Sequence, residues 1–299
     1  MRSTEHEEAG YWDSGFACLP SFRGKMRLID ALAGVARWVG GNEREVCFWA
    51  DAKFGLDLRD RIQRQMWCGC CEPHVTKALR RILRAWDTFV DAGAHIEYHS
   101  YFAAGLVGPG GRVFAFEADP GNFARLEKNL KHFPHAKAYH CAMWSHEEKL
   151  IFGRPASITE SGWGALARVR RLETSEQVEI DGISLDKWST QRGVQEIRAV
   201  KIDVEGAEVA TLRGAENVLE KMRPILLFEM NGTLLKQAGT SATMAEQLLR
   251  SKGYELYWLV DGTLQSWQAV KETEFVDCVA MPKEHLGMEA PRSGLDERR

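Results

Sequence analysis

Carboxylates close three apolar runs of the sequence, and residues typical of turns follow each of them. Asp91 ends the run TFVD, with Gly93 two residues later, and Glu117 ends the run VFAFE. Asp203 ends the run AVKID. A carboxylate can accept hydrogen bonds from the hydroxyls of a ribose, take a proton as a general base, or bind a hard divalent cation. Because glycine lets a backbone approach a ligand closely, these run ends predict a binding edge.

The third run end carries the densest group of acids. Asp203, Glu205 and Glu208 lie within six residues, and Glu229 ends a further apolar run, LLFE. Acids in the first turn of a helix are stabilised by the helix dipole, which accounts for Glu205 and Glu208 better than for a residue at the strand end. A divalent cation on Asp203, Glu205 and Glu229 is conceivable. We do not favour it, and we assign no metal ligand.

Several of these residues could act as the base toward an alcohol. Asp203 comes first, because the end of a strand holds its carboxylate rigidly. His95 follows, since the ordinary pKa of histidine, about 6.5, suits proton transfer at neutral pH. Glu205, Glu229 and His99 are further candidates, although a histidine that only satisfies local hydrogen bonds is the simpler interpretation.

Alternating strands and helices must position these acids. Apolar runs predict strands at 88–90, 112–116, 136–141, 197–202, 224–228, 254–260 and 275–280. Apolar residues at steps of three and four predict helices over 26–38, over 74–84, after Asp119-Pro120 and after Ile202. A further helix is expected to open with a capping box from Thr243 to Glu246. The alternation predicts an α/β sheet with helices on both faces and ligands at the carboxyl ends of its strands.

The pattern also divides the chain. For residues 1–85 the pattern predicts a mainly helical segment. This segment packs against the rest of the chain, acts as a lid or contacts a second copy of the chain in a homo-oligomer. Residues 86–285 hold the alternating pattern, and residues 286–299 are polar and expected to be disordered.

Composition narrows the classes of protein. The 299 residues carry a net charge of −3, so no overall basic character favours a nucleic-acid partner. No apolar run is long enough for a membrane span, and no secretory signal is recognisable, so we expect a cytoplasmic location. The cluster Cys68, Cys70 and Cys71 lacks the second pair that a zinc site needs, which favours reduced thiols.

Residues 86–282 resemble the FkbM-type family of S-adenosylmethionine-dependent methyltransferases. The most specific parts are VKIDVEGAEVATLRGAENVLEKMRPILLFEMN, which begins at Val200, and ISLDKW, which begins at Ile183. VDAGAHI and VFAFEADPGNFARLEKNL fit the family's first and second motifs. The resemblance implies a Rossmann-like class I methyltransferase fold with seven strands. It also implies methyl transfer from S-adenosylmethionine to a small molecule, most often to a hydroxyl.

The resemblance also implies roles for individual residues. Asp91 and Gly93 would frame the methionine part of the cofactor, and Glu117 would hold the ribose hydroxyls. The turn that begins at Ala142 would pass the adenine, and Asp203 would lie at the junction of cofactor and acceptor.

Two other functions stay open. The family's first motif usually continues with asparagine, an apolar residue and glycine, whereas this chain has His95, Ile96 and Glu97. A cofactor-binding pseudoenzyme or sensing module is therefore the alternative to an enzyme. A nucleic-acid methyltransferase is less favoured, because the chain lacks an Asn/Asp-Pro-Pro-aromatic segment and a basic stripe.

Overall fold

The computed structural model describes five stretches of the chain: 24–49, 52–96, 98–154, 158–169 and 176–285. Glu97, the first 23 residues and the expected polar tail lie outside them. The chain forms two compact units. One runs up to Pro73 and includes the segment that ends at Gly162, and the other contains the rest of the chain from His74.

The first unit combines helices with a hairpin. Its elements are α1 (Lys25–Gly40), β1 (Glu43–Trp49), β2 (Ala52–Asp57) and α2 (Arg61–Trp67). The antiparallel pair β1–β2 departs from the mainly helical segment that the sequence predicted. Phe54 and Leu56 are buried two residues apart, which is the period of a strand, but the run is too short to stand out in the sequence.

The second unit contains the alternating pattern. Its elements are α3 (Pro73–Ile82), β3 (Thr88–Ala92), α4 (Tyr98–Val107), β4 (Arg112–Glu117), α5 (Pro120–Leu130), β5 (Ala136–His140), β6 (Ala142–Met143), β7 (Glu148–Arg154), β8 (Ala165–Leu166), β9 (Glu176–Ile183), α6 (Leu185–Arg192), β10 (Ala199–Ile202), α7 (Glu208–Arg213), α8 (Glu216–Lys221), β11 (Ile225–Asn231), α9 (Gly232–Gln237), α10 (Ala242–Ser251), β12 (Tyr254–Val260), β13 (Thr263–Ser266) and β14 (Phe275–Pro282).

The main sheet has eight strands in the order β13-β12-β14-β11-β10-β3-β4-β5. Its pairs from β11 to β5 are parallel, and β14 and β13 run against their neighbours. The sequence predicted seven strands. The eighth, β13, pairs with β12 across Asp261 and Gly262, both at positive φ, and the dipeptide Asp-Gly is the sequence signal that could have found this hairpin.

A smaller sheet of four strands, β6-β9-β7-β8, was not predicted. Its pairs are antiparallel except for the parallel pair β6–β9. Two of its strands, β6 and β8, are only two residues long, so they carry no periodic signal in the sequence.

The helices depart from prediction in two places. The helix expected after Ile202 is two short helices, α7 and α8, which are separated at Gly214 and Ala215. The expected capping box is replaced by Ser241, whose hydroxyl oxygen accepts the N–H of Met244 and starts α10. In the part of the chain that the structure describes, no helix has the length and apolarity needed to cross a membrane.

The two faces of the main sheet differ in character, as alternating strand residues require. Val90, Ile202 and Phe228 point into an apolar core that also contains residues of α6, α7, α8 and α10. Trp188 of α6 is buried there against the ring of Phe116. The other face carries α4 and α5, so helices cover both faces, as predicted.

We expect Trp188→Ala to lower the free energy of unfolding by about 3–5 kcal/mol, because the substitution leaves a cavity among the rings against the sheet. Urea unfolding followed by circular dichroism measures the change. Trp38→Ala is the control, since Trp38 is 88% exposed and its loss should change stability by no more than about 0.5 kcal/mol. Equal losses in the two variants would contradict the assignment of the core.

Candidate functional site

In the main sheet, β4 and β5 follow β3 on one side, whereas β10 and β11 lie on its other side. The ends of β3, β4 and β10 therefore meet where the order of strands reverses, and sheets of this type usually bind ligands at that place. The N–H of Asp203 donates to the carbonyl of Ala92 at 2.9 Å, and the N–H groups of Gly93 and Ala94 donate to the carbonyl of Phe116 at 3.0 and 2.9 Å. The backbone itself thus joins the three strand ends.

Gly93 is required by this junction. Its φ is +82°, and a Cβ at this position would lie 1.8 Å from the carbonyl oxygen of Asp203. No side chain fits such a gap, since the neighbouring atom is backbone and cannot turn away. The glycine predicted to frame a ligand is therefore demanded by the approach of two strand ends.

Glu117 lies at the tip of β4, where it is buried. Its Oε2 accepts the N–H of His95 and its Oε1 accepts the N–H of Asp119, both at 2.8 Å. Burial raises the pKa of this carboxyl to about 8. The two backbone hydrogen bonds and a further one from the side chain of Asn122 oppose this rise, because they favour the ionised form. The structure thus brings His95 to Glu117 through its backbone.

Asp91 and Lys201 are neighbours on β3 and β10, on the face opposite the apolar core. The Nζ of Lys201 lies 2.8 Å from Oδ2 of Asp203 and 3.9 Å from Oδ1 of Asp91. Ser100 of α4 donates to Oδ2 of Asp91 at 2.7 Å. Burial raises the pKa of Asp91, and Lys201 and Ser100 oppose that shift. Within the described residues, Oδ1 of Asp91 is buried and has no hydrogen-bond partner.

The acids after β10 separate into different environments. Glu205 lies in the turn at φ +48°, ahead of α7, so it is not in the helical turn that the dipole argument assumed. Glu208 is the first residue of α7, is buried and accepts the N–H of Gly206 at 2.9 Å. Burial raises the pKa of Glu208 to about 7, and the charge of Asp203 raises it further. The raised pKa in this cluster therefore belongs to Glu208, for which the sequence had predicted only stabilisation by the helix dipole.

An apolar wall adjoins the acids. Ala142 is buried in a cluster with Leu150 and Phe152 of the small sheet, and Ala118 and Val204 pack against it. Ala118 follows Glu117 and Val204 follows Asp203, so the cluster that contains Ala142 packs against the residues that directly follow both acids.

Two further candidates lie away from these strand ends. Glu229 of β11 lies opposite Asp277 of β14, and His99 is buried on α4. Lys201, Ser100 and Asp277 also belong to this edge, and the sequence did not predict them there. Lys201 had a signal: a lysine inside an apolar strand, two residues before Asp203, must share that residue's face of the sheet.

The described residues contain no group of three or more histidine, cysteine, aspartate or glutamate side chains placed to hold a metal ion. Cys68, Cys70 and Cys71 form no disulfide among the described residues. Burial raises the pKa of Cys68 to about 11, which favours the thiol over the thiolate that binds metals.

A comparison with family models identifies one domain in this chain. Residues 91–256 match the family model described as the methyltransferase FkbM domain. A hexuronic acid methyltransferase, AglP of Haloferax volcanii, is 28% identical over 141 residues, which are 47% of this chain and 55% of that protein. The chain thus spans about half the length of this curated relative.

Solved structures give weaker similarity. A methyltransferase FkbM from Methylobacillus flagellatus has a TM-score of 0.42 at 14% identity, over 74% of this chain and 54% of that one. A precorrin-6y C5,15-methyltransferase from Geobacter metallireducens has a TM-score of 0.42 at 15% identity, over 71% and 88% of the two chains. The family match includes all three strand ends described above.

We expect Gly93→Ala to lower the free energy of unfolding by about 3 kcal/mol, from the overlap with the Asp203 carbonyl and the positive φ together. Gly193→Ala is the matched control, because Gly193 also has positive φ (+61°) but a Cβ there would meet no atom within 4 Å. That variant should lose only about 1 kcal/mol. Urea midpoints that fall equally would refute the steric argument.

The pKa of Glu208 predicts a pH effect on stability. The unfolded chain releases this proton near the ordinary pKa of 4.5, whereas the folded protein keeps it until about pH 7. Wild-type stability relative to Glu208→Gln should therefore fall as pH rises from 4.5 to about 7 and stay constant above. Unfolding at a series of pH values measures the difference, with Glu216→Gln, an exposed glutamate that begins α8, as control. A difference that does not change with pH would refute this pKa.

Proposed function

The chain belongs to the FkbM methyltransferase family, and we propose that it transfers a methyl group from S-adenosylmethionine to a hydroxyl of a small molecule. The observation that carries the proposal is the buried carboxyl of Glu117, which is held at the strand tip next to the Gly93 turn. In folds of this type, an acid at that place accepts hydrogen bonds from a ribose.

The residues present fit such a cofactor. A carboxylate has about four acceptor positions, and three protein donors reach Glu117, so an additional hydroxyl can be accepted. Oδ1 of Asp91, buried without a hydrogen-bond partner among the described residues, suits the ammonium group of a methionine moiety. The apolar cluster around Ala142 suits an adenine ring.

When bound, S-adenosylmethionine supplies an electrophilic methyl group. The residues we propose to hold it are Asp91, Gly93, Glu117 and Ala142, with Asp203 next to the reacting end. Because displacement at the methyl group needs an in-line approach, the protein's main contribution is to orient the acceptor.

Asp203 is suited to orient the acceptor. Its side chain is 25% exposed, while Lys201 holds its Oδ2 at 2.8 Å in a fixed position. We propose that Asp203 accepts a hydrogen bond from the acceptor. Glu205 and His95 remain candidates: Glu205 lies in the adjoining turn, and His95 lies on the cofactor side, where its backbone binds Glu117.

The chemical class of the acceptor is inferred from the acidic residues near Asp203. The sheet edge beyond Asp203 carries Glu229 and Asp277, and carboxylates at this edge would repel an acceptor's own carboxylate. A neutral polyol such as a sugar hydroxyl fits better. Carboxyl methylation is the second candidate, because the curated relative is named for a hexuronic acid.

We expect Glu117→Gln to weaken binding of S-adenosylhomocysteine by about 10- to 100-fold, since hydrogen bonds to a charged group contribute about 1.5–3 kcal/mol. Wild-type affinity should rise with pH up to about 8, because donors from a ribose favour the ionised carboxyl. Isothermal titration calorimetry measures both effects. Glu127→Gln, an exposed residue of α5, is the control. Unchanged affinity in Glu117→Gln would remove this residue from the site.

The reaction is tested with labelled S-adenosylmethionine and a panel of neutral sugars, hexuronic acids and tRNA. We expect a labelled neutral sugar whose methyl group survives mild base, as an ether does; a base-labile product would instead indicate a carboxyl ester. Asp203→Asn should lower turnover by about 100-fold, the effect of a misplaced reactant, with cofactor affinity nearly unchanged.

Binding of the cofactor without transfer to any acceptor would favour the pseudoenzyme or sensing module over the enzyme. Labelling of tRNA would instead favour a nucleic-acid acceptor. Wild-type turnover in Asp203→Asn would exclude the orienting role.

A further inference from the structure

Large apolar side chains of α1 are exposed to solvent. Eight large hydrophobic side chains are exposed among the described residues, and four of the eight belong to this one helix. Trp38 is 88% exposed, and Val39 is 73% exposed. A single exposed apolar residue is normal on a protein surface, whereas a contiguous group marks a contact with a partner or with a membrane. The concentration of such side chains on α1 therefore indicates a binding surface.

The exposed residues follow the period of the helix. Steps of three, four and three residues place four of them in one row, and a fifth adjoins the row. We call this row the α1 stripe: Leu28, Ala31, Val35, Trp38 and Val39. On the other side of the helix, Ile29 and Ala33 are buried. The helix thus has two apolar sides, one packed within its own unit and one exposed.

The charges of α1 favour an anionic partner. The helix contains the cations Lys25, Arg27 and Arg37 and a single acid, Asp30. Nε of Arg64 in α2 lies 2.8 Å from Oδ1 of Asp30, so an ion pair already neutralises this acid. Arg27 is exposed and directly precedes the first residue of the stripe. The apolar stripe therefore belongs to a helix with a positive net charge.

The carboxyl end of α1 also carries a cation. Nη1 of Arg44 donates to the carbonyls of Gly40 at 2.8 Å and Gly41 at 3.0 Å. Such carbonyls have no partner within a helix, and a cation near them offsets the negative end of the helix dipole. A guanidinium thus stands at the end of the helix that presents Trp38 and Val39, where the exposed side chains are largest.

We propose that the α1 stripe binds the surface of a membrane that contains anionic lipids. Helices that lie in a membrane interface combine an apolar side that contains tryptophan with lysine and arginine residues. Their binding grows with the buried apolar area and with attraction to anionic headgroups. Tryptophan suits the interface because its ring is apolar and its N–H is polar. The attachment is independent of the proposed methyl transfer.

The helix lies on the membrane and does not cross it. Its 16 residues span about 24 Å, which is less than the roughly 30 Å of a hydrocarbon core. A second copy of the chain is a less favoured occupant of the stripe, because it would bring a second set of the same cations to it. Anionic headgroups instead attract these cations.

Flotation of the full chain with phospholipid vesicles tests the proposal. One set of vesicles contains one-third phosphatidylserine in phosphatidylcholine, and the other contains phosphatidylcholine alone. We expect wild type to bind the anionic vesicles at least about 10-fold more tightly than the neutral ones. Binding should weaken at high salt, because salt screens the attraction between the cations and the headgroups.

Variants assign the binding to α1. The double variant Trp38→Gln and Val39→Gln should bind the anionic vesicles about 10-fold more weakly, since less apolar area is buried. Arg27→Glu should weaken binding by about 25-fold, because each unit of charge near the surface changes binding about fivefold. Urea midpoints close to that of wild type are expected for all variants, since these side chains are exposed.

Matched controls change the same kinds of group elsewhere. Phe275→Gln removes another exposed aromatic ring, and Lys128→Glu makes the same change of charge on α5. Both should bind the vesicles as wild type does.

Three results would overturn the proposal. The first is a wild-type chain that does not float with anionic vesicles, and the second is unchanged binding in the Trp38→Gln and Val39→Gln variant. The third comes from sedimentation equilibrium without lipid: a wild-type dimer that this double variant converts to a monomer would assign the stripe to a second copy of the chain.

Discussion

The carbonyl of Asp203 lies where a Cβ of residue 93 would have to be. This contact lets the turn after β3 close against the end of β10, and the backbone bonds from Gly93 and Ala94 to Phe116 add β4 to the same point. Asp91, Gly93 and Glu117, which are proposed to bind the cofactor, lie at these strand ends, whereas Ala142 follows the next strand, β5. Side chains at this edge are thus positioned by backbone contacts, which a ligand does not have to create.

Burial of charge at this edge has an energetic cost that the fold offsets locally. Asp91 and Lys201 lie side by side, Ser100 supplies a further donor, and backbone N–H groups serve Glu117 and Glu208. The offset is incomplete, since burial still raises the pKa of Glu117 to about 8 and that of Glu208 to about 7. An incomplete offset is useful for function, because a carboxyl with unmet acceptor capacity gains most from a ligand that donates to it.

The proposed cofactor and acceptor sites lie at different strands along the edge of the sheet. Glu117 and the apolar cluster around Ala142 lie on the side of β4 and the small sheet, which suits the cofactor. Glu229, Asp277 and His74 lie on the side of β11 and β14, which suits a hydroxyl acceptor. Asp203 stands between them, held by Lys201. The proposed acceptor site and the proposed cofactor site thereby fall on different elements, so each can be disturbed separately.

The sequence by itself determined the alternation of strands and helices and the three acidic strand ends, because period and strand-end position are local properties of the chain. It also identified the family, through motifs that the family match covers. Only the tertiary structure decided which acids share an environment. The pairing of β14 against β11 brings Asp277 to His74, 203 residues away in sequence. Burial, which no local pattern reports, separated Glu208 from Glu205 and raised the pKa of Glu208 to about 7.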